Sequence, residues 1–198
     1  MTAPPDDAVT VYLVRHGRTA FNAAGVLRGH ADVPLDEVGL GEAERLGAMF
    51  SAVPLALVVT SPLARAYATG APIARSRGLT LEVDERLVDR DYGPFTGLPP
   101  EEAGLGAGQL TASRPGVEAA GSVVARAGEA LREVAARLAD GQPRAGVVVA
   151  HDVVNRLVLA ALVPELGVAD GIPQRTGCWN QLEHGPGGWR AVVVDALP

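Results

Sequence analysis

Three short, continuous apolar runs constrain this chain more than any other feature: Val9 to Val14, Leu55 to Val59 and Gly146 to Ala150. A strand with one wet face alternates apolar and polar residues, whereas an unbroken run rich in Val belongs to a strand covered on both faces, as in a parallel sheet. Helical spacings lie between the runs. Leu40, Ala43, Leu46 and Phe50 share one face of a first helix, and Val124, Ala127, Leu131, Val134 and Leu138 recur at three- and four-residue steps in a later one. Leu63 to Arg75 and Val153 to Leu162 read as two more. The alternation predicts an α/β three-layer sandwich, a mostly parallel sheet joined by right-handed crossovers with helices on both faces. Near the end, Trp179 to Glu183 and Trp189 to Asp195 flank a His-Gly-Pro-Gly-Gly turn, which predicts a closing hairpin and one antiparallel strand.

At 198 residues the expectation is a single domain over 1–198 with one core. The stretch from Asp84 to Gly121 interrupts the alternation, and Pro94, Pro99, Pro100, Pro115 and several glycines break any long element there. A segment of that kind is expected to be a small inserted lid. The start, Met1 to Ala8, lacks the basic and apolar stretches of a signal peptide, and no apolar run reaches membrane-spanning length, so a cytoplasmic protein without membrane contact is expected.

Charge and cysteine usage narrow the chemistry. The net charge of -6 argues against a sequence-independent nucleic-acid surface. Cys178 is the only cysteine, which excludes an internal disulfide and a cysteine-based zinc cluster, and it reads as a small buried hydrophobe. All 17 basic residues are Arg. Schiff-base chemistry and a P-loop lysine are therefore excluded, and any anion site must use guanidinium forks, which suit phosphate. The Arg- and Ala-rich usage points to a GC-rich bacterial source.

The first strand runs directly into Arg15-His16-Gly17-Arg18-Thr19-Ala20-Phe21-Asn22, and His151 directly follows the strand Gly146 to Ala150. Ligands of open parallel sheets bind just outside the carboxyl ends of strands, so if these two strands are neighbours the two imidazoles face one pocket. Phosphate monoesters are among the slowest biological hydrolyses, needing up to about 10²¹-fold acceleration. An enzyme working without metal must supply its own nucleophile and fixed cations. Neutral imidazole can attack phosphorus when its other nitrogen donates to a carbonyl, Arg15 and Arg65 can fork onto phosphoryl oxygens, and a protonated His151 can add a donor as charge develops.

Leu13-Val14-Arg15-His16-Gly17-Arg18-Thr19 with Asn22 resembles the signature of the histidine phosphatase superfamily, which includes the phosphoglycerate mutases. Gly29-His30-Ala31-Asp32-Val33-Pro34-Leu35, Ser61-Pro62-Leu63-Ala64-Arg65-Ala66 and Val149-Ala150-His151 extend the resemblance in the family's order. It implies that His16 is the nucleophile, that Arg15, Arg65 and His151 hold the phosphoryl group, and that Asn22 contacts it. No cofactor or metal is implied, the partner is a small phosphorylated substrate, and a homodimer is an assembly that relatives often form.

The chain departs from the family at the proton donor. Where a Glu usually stands four residues before a glycine, this sequence has Asp89, in Asp89-Arg90-Asp91-Tyr92-Gly93. Asp is shorter by one bond, roughly 1.5 Å, and a misplacement of about 1 Å can cost on the order of 100-fold in rate. Asp89 is the first candidate for the acid. Asp152 is the rival, because a distant acid-phosphatase and phytase branch resembles His-Asp at that point and uses the Asp as donor; the alternative is that Asp152 simply caps the helix beginning at Val153. Arg90 and Tyr92 match positions that hold the substrate carboxylate in cofactor-dependent mutases, but the expected Lys is missing and the paired lid Arg is reduced to Arg114. Arg28, His30 and Arg175 are candidates for a second anionic group or for plain solvation, and His184 is expected to face solvent.

The reading that follows is a metal-independent phosphomonoesterase acting through a phosphohistidine at His16, with Asp89 as acid and base. A cofactor-dependent phosphoglycerate mutase is the alternative. A phospho-ligand binding protein with a decayed acid is the third, and the retained carboxylate speaks against it.

Overall fold

The computed structural model describes residues 8–106 and 109–198. Val9–Arg15 forms β1, Leu57–Thr60 β2, Leu81–Val83 β3, Ala145–Ala150 β4, Trp179–Gly185 β5 and Gly188–Ala196 β6, in one sheet of order β3-β2-β4-β1-β5-β6. The β3-β2, β2-β4 and β4-β1 pairings are parallel, while β5 runs antiparallel to both β1 and β6. This is the expected three-layer α/β sandwich with one reversed strand. The three apolar runs supply β1, β2 and β4, the central strands, and every residue of β1 and β2 is buried. Residues 1–7, part of the span expected for the domain, lie outside the described residues.

Among the described residues, α1 (Ala20–Ala24) is short and has no buried residue, while α2 (Glu37–Phe50), α3 (Ala64–Arg77), α4 (Ala120–Ala139) and α5 (Asp152–Leu162) flank the sheet. Alternate residues of β1 divide between the two faces, as the two-residue period of a strand requires. Val9, Val11 and Leu13 pack with Leu131, Val134 and Leu138 of α4 and Val154, Leu157 and Val158 of α5. Tyr12 and Val14 pack with Leu46 and Phe50 of α2 and Ile73 of α3 on the other face. Each fully buried Leu or Phe here contributes about 1.5–3 kcal/mol of hydrophobic burial.

One residue of the expected helix face is misplaced. Leu40 is 53% exposed. The true inner face of α2 is Gly39, Ala43, Leu46, Gly47 and Phe50, because two of its contact positions are glycines. A Cβ on Gly39 would stand 2.0 Å from the Arg18 carbonyl oxygen, and one on Gly47 would stand 2.8 Å from Cβ of Pro72. The missing side chains let α2 lie directly against the loop after β1 and against α3.

The segment after β3 is irregular, with short turns at Glu85–Leu87 and Gly93–Phe95 and a small apolar cluster of Leu27, Tyr92, Ala103 and Leu105. This segment lies in the span expected as a lid, about 84–121, and α4 begins at Ala120; residues 107–108 lie outside the described residues.

Candidate active site

The sheet register sets the site. Arg15 pairs with Ala150 across β1 and β4, and the His16 N–H donates to the Ala150 carbonyl at 3.0 Å. His16 and His151 are therefore both the first residues beyond neighbouring parallel strands, and their ring centroids lie 5.1 Å apart. One strand further on, the Ser61 N–H donates to the Val149 carbonyl at 3.0 Å, which brings the turn into α3, and with it Arg65, to the same sheet edge. Asp32 helps to start that helix. Leu63 offers no capping side chain, and Asp32 Oδ1 accepts from the Ala64 N–H at 2.7 Å in its place.

His16 is fully buried, and its two nitrogens differ. Nδ1 lies 2.6 Å from the Gly17 carbonyl, to which it donates, whereas Nε2 has no hydrogen-bond partner among the described residues. This is the tautomer that keeps a lone pair on Nε2. Burial, His151, Arg65, Arg15 and Arg28, in that order, hold the His16 imidazole well below the usual histidine range, so it is neutral at pH 7. The loop carrying it is fixed on both sides: the Gly17 N–H donates to Thr69 Oγ1 at 3.0 Å and the Arg18 N–H to Glu42 Oε2 at 2.7 Å.

His151 is also fully buried. Its Nε2 lies 2.8 Å from Ser61 Oγ, which accepts a longer bond from the Leu63 N–H at 3.4 Å and so can give its own proton to the imidazole. Nδ1 has no hydrogen-bond partner and lies 3.8 Å from Asp89 Oδ2. Burial first, then Arg65, Arg28, Arg126 and Arg15, hold this imidazole well below its ordinary value. The protonated His151 expected from sequence is thus a neutral one in the free protein, and its charge has to come with an anion that offsets the surrounding guanidiniums.

The two expected phosphoryl cations are present with part of each guanidinium uncommitted. Arg15 Nη1 donates to the Gln174 carbonyl and lies 3.3 Å from Asp152 Oδ2, while its Nε is buried without a partner. Desolvation lowers the Arg15 guanidinium from its ordinary value, with Asp152 opposing. Arg65 is wholly buried; Nη1 donates to the Ala31 carbonyl at 2.8 Å, Nη2 to the Gly29 carbonyl at 2.8 Å and to Asp89 Oδ2 at 3.0 Å, and Nε has no partner. Asp89, only 2% exposed, therefore bridges the space between Arg65 and His151. Asn22 belongs to a capping box at α1, in which its Oδ1 accepts from the Thr19 N–H and Oγ–H, leaving its amide NH2 as the donating end.

Three sequence expectations change. Arg90, matched to a carboxylate-binding position, is fully buried and donates from Nε, Nη1 and Nη2 to the carbonyls of Glu118, Leu110 and Ala112 at 2.8, 2.7 and 2.8 Å. It clasps the lid. Asp152 is not the cap of a helix beginning at Val153: α5 starts at Asp152 itself, His151 occupies the cap position, and both Asp152 oxygens face guanidiniums, Arg156 at 2.5 Å and Arg15 at 3.3 Å. His184 is half-buried against Trp189, with ring centroids 4.6 Å apart. Of the candidates for a second anion, His30 bonds the Asp89 carbonyl at 2.9 Å and Arg175 pairs with Asp195 at 2.7 Å. Cys178 is buried as expected, and burial pushes its thiol up.

Two contributors were missed. Ser61 stands in a quoted motif, yet nothing in the sequence ties its hydroxyl to His151. Arg126 of α4 donates to the carbonyls of Arg86, Val88 and Asp89 and pairs with Glu118 at 2.8 Å, holding the segment that ends in the candidate acid. It had no signal beyond being an Arg on a helix.

The profile of the histidine phosphatase superfamily (branch 1) matches residues 11–196. A probable phosphoglycerate mutase GpmB from Yersinia pestis is 37% identical over 97 residues, 46% of this chain and 45% of that protein; the match spans less than half the length of that relative. Among solved structures, the mycobacterial glucosyl-3-phosphoglycerate phosphatase is 28% identical, with a TM-score of 0.82 over 96% of this chain and 99% of that one. Bacillus stearothermophilus YhfR is 27% identical, with a TM-score of 0.82 over 96% and 98% of the two chains. Among the described residues, no helix is long and apolar enough to cross a membrane.

Proposed function

The chain belongs to the histidine phosphatase superfamily, and from that membership we propose that it hydrolyses a small phosphorylated metabolite through a phosphohistidine at His16, without a metal ion. The observation that carries the reading is the asymmetry of His16, whose Nδ1 is tied to the Gly17 carbonyl while Nε2 stays buried and unpartnered among the described residues. An imidazole kept neutral by burial first, and then by His151 and the neighbouring guanidiniums, is a nucleophile at pH 7 without a general base.

In the first half-reaction Nε2 forms a bond to phosphorus, the bond from phosphorus to the alcohol oxygen breaks, and the carboxylic acid form of Asp89 gives its proton to the leaving oxygen. In the second, the Asp89 carboxylate takes a proton from water, the water oxygen attacks phosphorus, and the nitrogen–phosphorus bond breaks to return neutral His16 and phosphate. One acid serves both halves by microscopic reversibility. Arg15 and Arg65 offset the phosphoryl charge throughout.

Brief exposure to labelled substrate should trap an acid-labile, base-stable phosphoryl group on His16, and His16→Ala should abolish both label and turnover of p-nitrophenyl phosphate. Residual turnover above about one-thousandth of wild type would overturn the mechanism. The glucosyl-3-phosphoglycerate phosphatase likeness directs a substrate panel toward phosphorylated glycerates and sugars. The mutase name of the Yersinia relative keeps one second reading open; isomerisation of 3-phosphoglycerate exceeding its hydrolysis would establish it. Arg90, closed onto lid carbonyls, speaks for hydrolysis.

A further inference from the structure

Arg15 reaches the pocket held from behind. Its Nη1 donates to the Gln174 carbonyl and faces Asp152 Oδ2 at 3.3 Å, so the anchored corner of the guanidinium is the one beside Cδ. The edge left over, Nε and Nη2, is the fork that fits two oxygens of one phosphoryl group. Asp152 is in turn fixed, its Oδ1 accepting from Arg156 Nε at 2.5 Å. Arg156 Nη1 donates to the carbonyls of Asp170, at 3.2 Å, and Ile172.

The same Asp170 grips the lid. Its carboxylate accepts from the Thr111 N–H at 3.1 Å and from Thr111 Oγ at 2.9 Å. On either side of Thr111, the carbonyls of Leu110 and Ala112 are the ones that Arg90 holds. A single three-residue stretch of lid is thus bound on one flank by the neighbour of Asp89 and on the other by the end of a continuous polar chain that leads back to Arg15.

We propose that Asp152 is a positioning residue for Arg15, and that Arg156, Asp170 and Thr111 make this placement depend on the lid stretch Leu110 to Ala112. The proposal rests on the reading that Arg15 holds the phosphoryl group. It also assigns the two carboxylates near the pocket: Asp89 is the one beside His151, while both oxygens of Asp152 are turned to guanidiniums. Seating the lid then completes the site twice over, bringing the acid into place through Arg90 and the phosphoryl fork into place through Asp152.

The test uses two variants that keep side-chain shape, Asp152→Asn and Thr111→Val, singly and together. Orthophosphate binding is measured by calorimetry, and turnover is measured on p-nitrophenyl phosphate, with its good leaving group, and on an alkyl phosphate, with a poor one. Asp152→Asn should raise the phosphate Kd by about tenfold to a hundredfold, the range for losing a bond to a charged group. It should lower kcat/KM by a similar factor on both substrates and leave both limbs of the kcat pH profile in place. Thr111→Val should weaken phosphate binding by about threefold to tenfold in the wild-type background and have almost no further effect once Asp152 is Asn. A loss confined to the alkyl phosphate, or a vanished limb of the profile, would make Asp152 the acid and overturn the proposal. An unchanged phosphate Kd in Asp152→Asn overturns the positioning role, and an equal Thr111→Val effect in both backgrounds overturns the link to the lid. Phosphate binding is read without turnover. A wild-type chain that binds phosphate but hydrolyses no ester therefore overturns the proposed function alone, and one that binds no phosphate overturns both.

Discussion

His151 Nδ1 and Asp89 Oδ2 lie 3.8 Å apart, in a pocket where His151 is fully buried and Asp89 is only 2% exposed. The shorter acid therefore lies beside His151, on backbone that Arg126 clasps at the Asp89 carbonyl, 3.1 Å away. Asp89→Asn keeps the shape and removes the transferable proton. Turnover of an alkyl phosphate should fall by about 10²- to 10⁴-fold, the range for general acid catalysis, while p-nitrophenyl phosphate, which needs little help in leaving, should lose far less. Equal losses on both substrates would show that Asp89 only props Arg65.

Acid should destabilise the fold through the two histidines. Both have folded-state values pushed well below 6.5, by burial and then by neighbouring cations. As pH falls below about 6.5, the unfolded chain takes up protons that the folded one refuses, so the unfolding free energy drops with pH. Each refused proton costs about 1.4 kcal/mol per pH unit. Stability is thus complete above pH 6.5 and declines between there and the lower folded-state values. Urea midpoints measured from pH 7.5 to 5 should fall accordingly, and His151→Gln should flatten the slope. A slope that the substitution leaves intact would assign the acid sensitivity elsewhere.

Much of this architecture could be read before any coordinates, because the informative residues act through periodicity or through position at a strand end. Val9 to Val14 and Gly146 to Ala150 read as buried strands; His16, one residue beyond Arg15, and His151 would share one pocket only if those strands were neighbours, and they are. What escaped reading has physical causes. β3 is three residues long and only partly buried, too short to show a period. Leu40 was placed inside because glycine carries no hydrophobic signal, although Gly39 and Gly47 are the real contact positions of α2. The carbonyls that Arg90 holds lie 20 to 28 residues away in sequence, and Asp152 faces the distant Arg15, contacts that no local spacing reveals, whereas its pairing with Arg156 at i+4 is a local one.

Gly39 gives a sharp packing prediction. Its missing side chain faces the backbone of Arg18, where a Cβ would stand 2.0 Å from the carbonyl oxygen and 2.7 Å from the nitrogen. Neither atom can rotate aside, and the same loop carries His16. Gly39→Ala should destabilise the protein by at least the ~1–3 kcal/mol typical of overpacking and lower activity by displacing the nucleophile. By contrast Gly121→Ala, which meets nothing within 4 Å at the exposed start of α4, should be neutral or slightly stabilising. Comparing the two melting curves checks the argument, which fails if Gly39→Ala melts with wild type.

The three backbone carbonyls on Arg90 separate a structural clasp from a substrate contact. A guanidinium donates in three directions within one plane, and here Nε, Nη1 and Nη2 each meet a different carbonyl, from Glu118, Leu110 and Ala112. Lys keeps the charge but cannot reproduce the fork. If Arg90 bound a substrate carboxylate, Arg90→Lys would retain part of its function, and the loss in Arg90→Met would be confined to substrates bearing that group. As a clasp, both changes should act alike, each losing bonds to part-buried carbonyls at about 0.5–1.5 kcal/mol apiece. Proteolysis between Leu98 and Glu118 should accelerate in both variants. The KM for p-nitrophenyl phosphate, which carries no carboxylate, should rise in both as well. Retained lid protection in Arg90→Lys, together with a defect restricted to 3-phosphoglycerate, would return Arg90 to the substrate.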